Sequence, residues 1–220
     1  IAVDENNNKV YVANRESNSI SVIDGKTNTV ITNVTVGKDP ISIAIDNKSN
    51  TIYVGDFGSN TLSVINGTND EVVRTIPIGF APIDVAFNRD KDQIYVLNSE
   101  NKSVSFIESF IDDVLKPKQE EKEFITSIKV GSQPTQIAVD SITGKIYTTN
   151  RESNTVTIID KNTSKSEPVL LQYLHKTLHL GGRSHGLAFD DKANKIYVTN
   201  SQGNTVSVID AETVIDAETK

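Results

Sequence analysis

The sequence predicts an all-β protein, a β-propeller of four-stranded antiparallel blades with five blades visible. Three observations predict this fold. A tyrosine-centred segment recurs five times, apolar and polar residues alternate around each copy, and the intervening segments are rich in Asn, Asp, Gly and Ser. Alternation with a period of two indicates strands, and these polar residues tolerate left-handed backbone or bond their own turn amides.

The repeat has the length of a propeller blade. Its central segment occupies residues 10–14, 52–56, 94–98, 146–150 and 196–200, each with tyrosine in second place. Successive tyrosines are 42, 42, 52 and 50 residues apart, and propeller blades repeat every 40 to 50 residues or so. The second repeat resolves into four strands, named A to D, at 41–45, 51–54, 61–65 and 71–78. Four short strands in close succession predict hairpins.

Stacking explains how such sheets bury their faces. A single four-stranded sheet cannot cover both of its faces, whereas radially stacked blades cover both and leave short, protected edges. We expect each repeat tyrosine in strand B, with its ring between blades and its hydroxyl bonded. Strand A of every repeat carries an alanine between bulkier residues, as expected where blades converge on an axis.

We predict one propeller domain over residues 1–220, with blades at about 1–40, 41–82, 83–134, 135–184 and 185–220. The fifth repeat reaches strand C near residue 209, and no strand contributed from the opposite terminus is evident. Two alternatives stay open, a closed five-bladed ring or part of a larger ring of about seven blades. An open arc would expose flanks that include Val3, Tyr11 and Val208, and would favour self-association.

Composition excludes several classes of function. Acidic residues outnumber basic ones by 29 to 22, and no basic stripe is present, so nucleic acid is not an expected partner. No apolar stretch approaches the length that spans a bilayer, so we predict no membrane span in this chain. Cysteine is absent, which excludes disulfides, thiolate nucleophiles and cysteine-bound metals. We predict no cofactor and no catalytic residues.

Two sets of acids and amides recur in every repeat. One set ends strand A and the other ends strand B; they are Asp4, Asp46, Asn88, Asp140 and Asp190, and Asn14, Asp56, Asn98, Asn150 and Asn200. A ring of carboxylates could hold a metal, but both positions precede turns, where such side chains cap turn amides. We predict turn caps at both. His175 and His179 fall on a strand, where their spacing separates them by roughly 13 Å, so we expect no shared metal.

Strand order places the B to C loops and the D to A loops on the same face. The loop residues that differ between blades are our candidate binding residues: Arg15, Glu16, Phe57, Phe80, Glu100, Arg151, Glu152, Arg183, His185 and Gln202. They vary on a constant turn scaffold, which is typical of a binding surface. The alternative is tolerated loop variation. His185 begins a strand A, where the axial channel should open.

The segment 197–200 reads Tyr-Val-Thr-Asn, and with its surroundings at 195–196 and 204–210 it resembles the YVTN family of β-propeller repeats. The resemblance covers essentially the whole chain. It implies a propeller fold and, by similarity to microbial and archaeal surface-layer proteins, a non-catalytic scaffold or recognition domain. Such a domain would be extracellular or at the cell surface, and would bind protein or glycan partners.

The alternative is an enzyme, since similar repeats occur in lyases and haem-bearing oxidoreductases. That alternative requires His185, Arg183 and a carboxylate such as Glu16 or Glu152 to converge on one substrate atom. The chain contains no HExxH, P-loop or GxGxxG motif. We therefore favour the non-catalytic interpretation and leave the enzyme alternative open.

Overall fold

A computed structural model describes residues 1–108, 126–161 and 173–211, which contain β-strands and no helix. The strands form antiparallel sheets in which sequential strands are neighbours, as in a chain of hairpins. These sheets are the predicted blades, and the all-β prediction is confirmed. The chain divides into two compact units, residues 1–129 and 130–220. The assignment of the whole chain to a single domain stays a prediction.

Residues 1–129 form three four-stranded blades. Blade one contains β1 (Ala2–Asp4), β2 (Lys9–Asn14), β3 (Ser19–Asp24) and β4 (Thr29–Thr35). Blade two contains β5 (Pro40–Asp46), β6 (Thr51–Asp56), β7 (Thr61–Asn66) and β8 (Glu71–Pro77). Blade three contains β9 (Pro82–Asn88), β10 (Gln93–Asn98), β11 (Ser103–Glu108) and β12 (Thr126–Lys129).

Residues 130–220 form two blades. Blade four contains β13 (Pro134–Val139), β14 (Ile146–Asn150), β15 (Thr155–Lys161) and β16 (Tyr173–His179). Blade five contains three strands within the described residues, β17 (Ser184–Asp190), β18 (Lys195–Asn200) and β19 (Thr205–Asp210). His175 and His179 both lie on β16, as predicted. The extra residues of repeats three and four separate strands C and D, and they fall outside the described residues.

Register explains the alanine of strand A. In every blade that alanine is the cross-strand partner of the repeat tyrosine; the pairs are Ala2 and Tyr11, Ala44 and Tyr53, Ala86 and Tyr95, Ala138 and Tyr147, and Ala188 and Tyr197. Side chains directly opposite each other in an antiparallel pair share one face. A small residue opposite the tyrosine therefore leaves room for the phenol ring.

Neighbouring blades pack through these tyrosine faces. In the first unit, Tyr11 is fully buried in an apolar cluster with Ile52 and Val54 of blade two. In the second unit, the ring of Tyr147 stacks on that of Phe189 with centroids 5.6 Å apart. The prediction that the tyrosine rings lie between blades is confirmed for these pairs.

The corresponding face of blade five is exposed. Tyr197, Val206 and Val208 occupy the positions of Tyr147, Val156 and Ile158, and they are 36%, 57% and 55% exposed. Val3, on strand A of blade one, is also exposed. The prediction that Tyr11 belongs to an exposed flank is wrong, because its ring points toward blade two.

The strand A acids and amides are turn caps, as predicted. Their side-chain oxygens accept hydrogen bonds from the backbone N–H groups two or three residues later, as Asp140 does from Ile142 and Thr143 at 2.9 and 3.1 Å. The same pattern holds at Asp4, Asp46, Asn88 and Asp190. Among the described residues, no group of three or more His, Asp or Glu side chains is arranged to hold a metal ion. Within the same residues no helix is long and apolar enough to cross a membrane.

Candidate functional site

The B to C turns and the D to A connectors lie together on one face, as strand order predicts. The connector that leaves blade one is held by Asn18 of that blade's turn, whose backbone oxygen accepts from Val36 N at 3.0 Å. The side-chain oxygen of Asn18 accepts from Asp39 N at 2.9 Å. On its other side the connector meets the next turn, where Phe57 N donates to Asp39 O at 3.1 Å.

The same clip recurs in both units. Asn60 accepts from Ile78 N and Ala81 N, and Asn154 accepts from Leu180 N and Arg183 N. Asn18, Asn60 and Asn154 adopt left-handed backbone with φ between 53° and 59°, a conformation that Asn tolerates better than most residues. The clip fixes where each connector crosses the loop face.

The residues that end strand B do not cap turns, so this prediction is wrong. Their side chains reach across to strand C and form hydrogen bonds with the hydroxyl group of the third residue of that strand. The shortest contacts join Asn14 to Ser21, Asp56 to Ser63, Asn98 to Ser105, Asn150 to Thr157 and Asn200 to Ser207, at 2.7 to 2.9 Å. The hydroxyl-rich strand C, and not the turn, supplies the nearest polar partners.

Asp56 is the one carboxylate in this set, and burial raises its pKa. Hydrogen bonds from Ser63 and Thr61 oppose that shift, because they favour the charged form. The other oxygen, Oδ1, is buried without a partner in the structure. Burying the charged Asp56 carboxylate therefore costs blade two free energy that the asparagines at this position of the other blades do not cost.

A polar cavity of about 490 Å³ opens on the loop face of the second unit. Six residues line it, Gln133, Arg151, Glu152, Asn154, Arg183 and Gln202. Four of them are predicted candidates from three loops, so the structure brings Arg151, Glu152, Arg183 and Gln202 together. All six stand on a B to C turn or a D to A connector of blades four and five.

The backbone beneath the cavity is held on several sides. Arg151 N donates to Gln133 O at 2.8 Å, and Gln202 N donates to Gly182 O at 3.3 Å. Arg183 N donates to the side-chain oxygen of Asn154, and Arg183 O accepts from Ser201 N at 3.1 Å and Ser201 Oγ at 3.0 Å. The charged side chains thus project from fixed positions.

No described residue forms a hydrogen bond or an ion pair with the charged side chains of the cavity. Neither of the ion pairs that join Lys9 to Asp70 and Arg15 to Asp39 involves a residue of the cavity. The side chains of Arg151, Glu152 and Arg183 make no hydrogen bond or ion pair with any described residue. The cavity therefore presents two guanidinium groups and one carboxylate that are free to meet a ligand.

The first unit contains the same turn with a carboxylate beside its arginine. Residues 15–18 and 151–154 have the identical sequence Arg-Glu-Ser-Asn. In blade one, however, Arg15 Nε lies 3.9 Å from the Asp39 carboxylate, and its guanidinium lies 5.4 Å from the centre of the Phe57 ring. In the second unit, Arg183 replaces Asp39 and Ser201 replaces Phe57. The arginine of this turn therefore has a carboxylate and an aromatic ring beside it in blade one, and neither of these residues is present in blade five.

The other candidate residues of the loop face lie outside the cavity. Glu16, Phe80 and Glu100 are exposed, and none of them lines the cavity. His185 is exposed and is also absent from the cavity lining. Its backbone oxygen accepts hydrogen bonds from Thr135 Oγ1 and Thr149 Oγ1, both at 3.1 Å.

Sequence reasoning missed Gln133 and Asn154. Gln133 holds the same connector position as Asp39 and Arg183, and it shares their left-handed backbone with φ of 48°. Asn154 is the clip residue of blade four. Aligning the connectors as closely as the tyrosine segments would have identified both positions.

No protein-family model matches the chain, and no curated protein matches it in sequence. Solved structures do resemble it. The dihydro-heme d1 dehydrogenase NirN, in complex with DHE, aligns with 97% of this chain at a TM-score of 0.69 and 11% identity. A putative 6-phosphogluconolactonase from Bacteroides uniformis aligns with 94% at 0.72 and 13% identity, and U3-55K aligns with 96% at 0.72 and 10% identity.

At these identities the similarity establishes the fold alone. The chain spans 43%, 64% and 60% of the lengths of the three aligned proteins, in the same order. Their names include enzymes and a protein that is not named as one, so the fold does not choose between catalysis and scaffolding. Together with the antiparallel blades, the comparisons establish that this chain has a β-propeller fold.

Proposed function

We propose that this chain is a YVTN-type recognition propeller, a non-catalytic domain that is extracellular or at the cell surface and binds a glycan or protein partner. One observation carries the proposal. On the loop face of the second unit, polar and charged side chains from four segments line one cavity, on backbone that is fixed by hydrogen bonds. A fixed scaffold with uncommitted polar side chains is preorganised for binding.

The geometry favours binding over catalysis. The enzyme alternative requires a histidine, an arginine and a carboxylate to converge. Arg183 and Glu152 share the cavity, but His185 does not line it. His185 instead lies near the start of β17, where its backbone oxygen accepts hydrogen bonds from two threonines of blade four.

Binding by the loop face can be tested on immobilised glycans and surface proteins. The purified chain is compared with a variant carrying Arg151→Ala and Glu152→Ala, and with the matched variant carrying Arg15→Ala and Glu16→Ala. We expect one partner class to be retained by the parent and the matched variant and lost by the first variant. Equal binding by all three proteins would contradict the proposal. Antibody labelling of intact cells that produce the natural protein tests the surface location.

Self-association is a second part of the proposal. The exposed face of blade five has the residue types that bury against the next blade elsewhere in the chain, with Tyr197, Val206 and Val208 at its centre. An apolar face of this kind favours association with another sheet of the same repeat type.

A further inference from the structure

We propose that the cavity of the second unit binds a carboxylated sugar, a uronic acid at the end or within a glycan, with Arg151 and Arg183 taking the carboxylate. The inference rests on the proposed recognition function and names its ligand class. It follows from a comparison of two turns of identical sequence, one of which has a carboxylate of the protein, that of Asp39, beside its arginine.

The first unit shows which chemistry the turn accepts. The Arg15 guanidinium is approached by the carboxylate of Asp39 at 3.9 Å and by the ring of Phe57. An arginine on this turn therefore points to the connector, at the place where a carboxylate sits. The planar guanidinium matches a carboxylate in geometry, and such charge-assisted pairs are stronger than neutral hydrogen bonds.

The second unit has the same turn without the internal carboxylate. Arg183 stands where Asp39 stands, so the connector contributes a second positive charge in place of a negative one. Both guanidinium groups line the same cavity, and neither is paired within the described residues. In this proposal a ligand supplies to this site the carboxylate that Asp39 supplies in the first unit.

The rest of the lining favours a sugar over a peptide carboxylate. Gln133, Gln202 and Glu152 add amide and carboxylate groups to the cavity. The amides both donate and accept and the carboxylate accepts, which suits a ring of hydroxyls that do both. Glu152 would repel a run of acidic side chains, but it can accept hydrogen bonds from sugar hydroxyls. The volume, about 490 Å³, lies within the range of small-ligand pockets.

The test measures binding of four probes to the full chain by nuclear magnetic resonance titration and by calorimetry. The probes are methyl glucuronoside and methyl galacturonoside, the matching neutral methyl glucoside, and an acetylated, amidated Asp-Glu dipeptide. The variants are Arg151→Gln, which removes one cation, and Arg183→Asp, which installs the residue that stands at this position in the first unit. Arg15→Gln is the matched control on the identical turn, and thermal unfolding verifies that each variant folds.

We expect at least one uronoside to bind about tenfold or more tightly than the neutral glycoside, as the loss of a charge-assisted bond implies. Arg151→Gln and Arg183→Asp should each weaken uronoside binding by about tenfold or more, while Arg15→Gln leaves it unchanged. If the neutral glycoside binds as tightly as the uronosides and both cavity variants lose this binding, the carboxylate inference is overturned but the recognition function is retained. Preference for the dipeptide would overturn the sugar assignment. Uronoside binding that survives both cavity variants, or no binding of any probe, would overturn the inference.

Discussion

The ring of Phe87 in blade three stacks on the ring of Tyr53 in blade two, with centroids 5.8 Å apart and planes inclined by 24°. Tyr53 is 2% exposed and belongs to the apolar cluster between these blades. Ala44 leaves space beside it, because the two residues are cross-strand partners. This contact and its counterpart between Tyr147 and Phe189 show that the repeat tyrosine links successive blades within each unit.

Replacing a buried repeat tyrosine should destabilise the folded chain. We expect Tyr53→Ala to lower the free energy of unfolding by about 3–5 kcal/mol, the usual cost of truncating a buried aromatic residue. Tyr197→Ala is the matched control at the same repeat position, and its exposed ring predicts a much smaller loss. Chemical denaturation measures both. Equal losses in the two variants would mean that the tyrosine contributes within its own blade and not between blades.

The tyrosine hydroxyls are not equivalent, although the repeat predicts that each is bonded. Tyr95 OH donates to Gln93 Oε1 at 2.9 Å, whereas Tyr147 OH is buried without a partner, so the expectation is wrong there. We expect Tyr95→Phe to lower stability by about 1 kcal/mol, the net value of a hydrogen bond. Tyr147→Phe removes an unsatisfied polar group and should leave stability unchanged or raise it. A loss at Tyr147 as large as that at Tyr95 would indicate an unseen partner, such as an ordered water.

The connector glycines give a second matched pair. A Cβ on Gly37 would lie 2.5 Å from Cγ of Asp56, because the connector crosses directly over the end of strand B. We expect Gly37→Ala to cost about 1–3 kcal/mol, as overpacking usually does. A Cβ on Gly181 would meet nothing within 4 Å, so Gly181→Ala should be neutral or slightly stabilising. Thermal unfolding distinguishes them, and a tolerated Gly37→Ala would show that the connector can move away.

Asp56 makes the stability of the first unit depend on pH. Its folded pKa is raised above 3.8 by burial, so the folded state binds more protons than the unfolded state between the two pKa values. Stability should therefore fall as the pH rises through that window and stay reduced above it. Asp56→Asn supplies the amide found at this position in the other blades, and should stabilise the protein at pH 7 but not near pH 3. Denaturation curves at the two pH values test this, and an equal effect at both would exclude ionisation as the cause.

How much of the fold and of the cavity could be predicted from the sequence depends on whether the signal lies in adjacent residues or in the pairing of strands and connectors. The strands and turn caps were predictable, because the alternation and the Asp at the end of strand A are local signals. The role of Asn150 was not, because its partner Thr157 is brought opposite by the register of β14 and β15. The cavity could be predicted only in part. Arg151 and Arg183 were candidates because they are variable loop residues. The sequence does not show that Arg183 occupies the position of Asp39 beside this turn, because that position is defined by the hydrogen bond between Asn154 and the connector.

The exposed face of blade five should cause self-association of the 220-residue chain. In blade four, Val156 and Ile158 are buried in the cluster that blade five covers, while their counterparts Val206 and Val208 are exposed. Covering such a face removes apolar area from water, which stabilises the associated state by roughly 25 cal/mol per Å² buried. We expect light scattering to show a mass that rises with concentration. Val206→Lys with Val208→Lys should abolish the rise, because association would then bury unpaired charges.

Ile142 supplies the control for that experiment, since it is 70% exposed but lies in the turn between strands A and B of blade four and on no blade face. Ile142→Lys adds a charge without altering the tyrosine face, so it should leave the association unchanged. If it suppresses association as strongly as the blade-five substitutions, net charge and not the exposed face controls the mass. A parent chain that stays monomeric across a wide concentration range would exclude the face of blade five as a self-association surface.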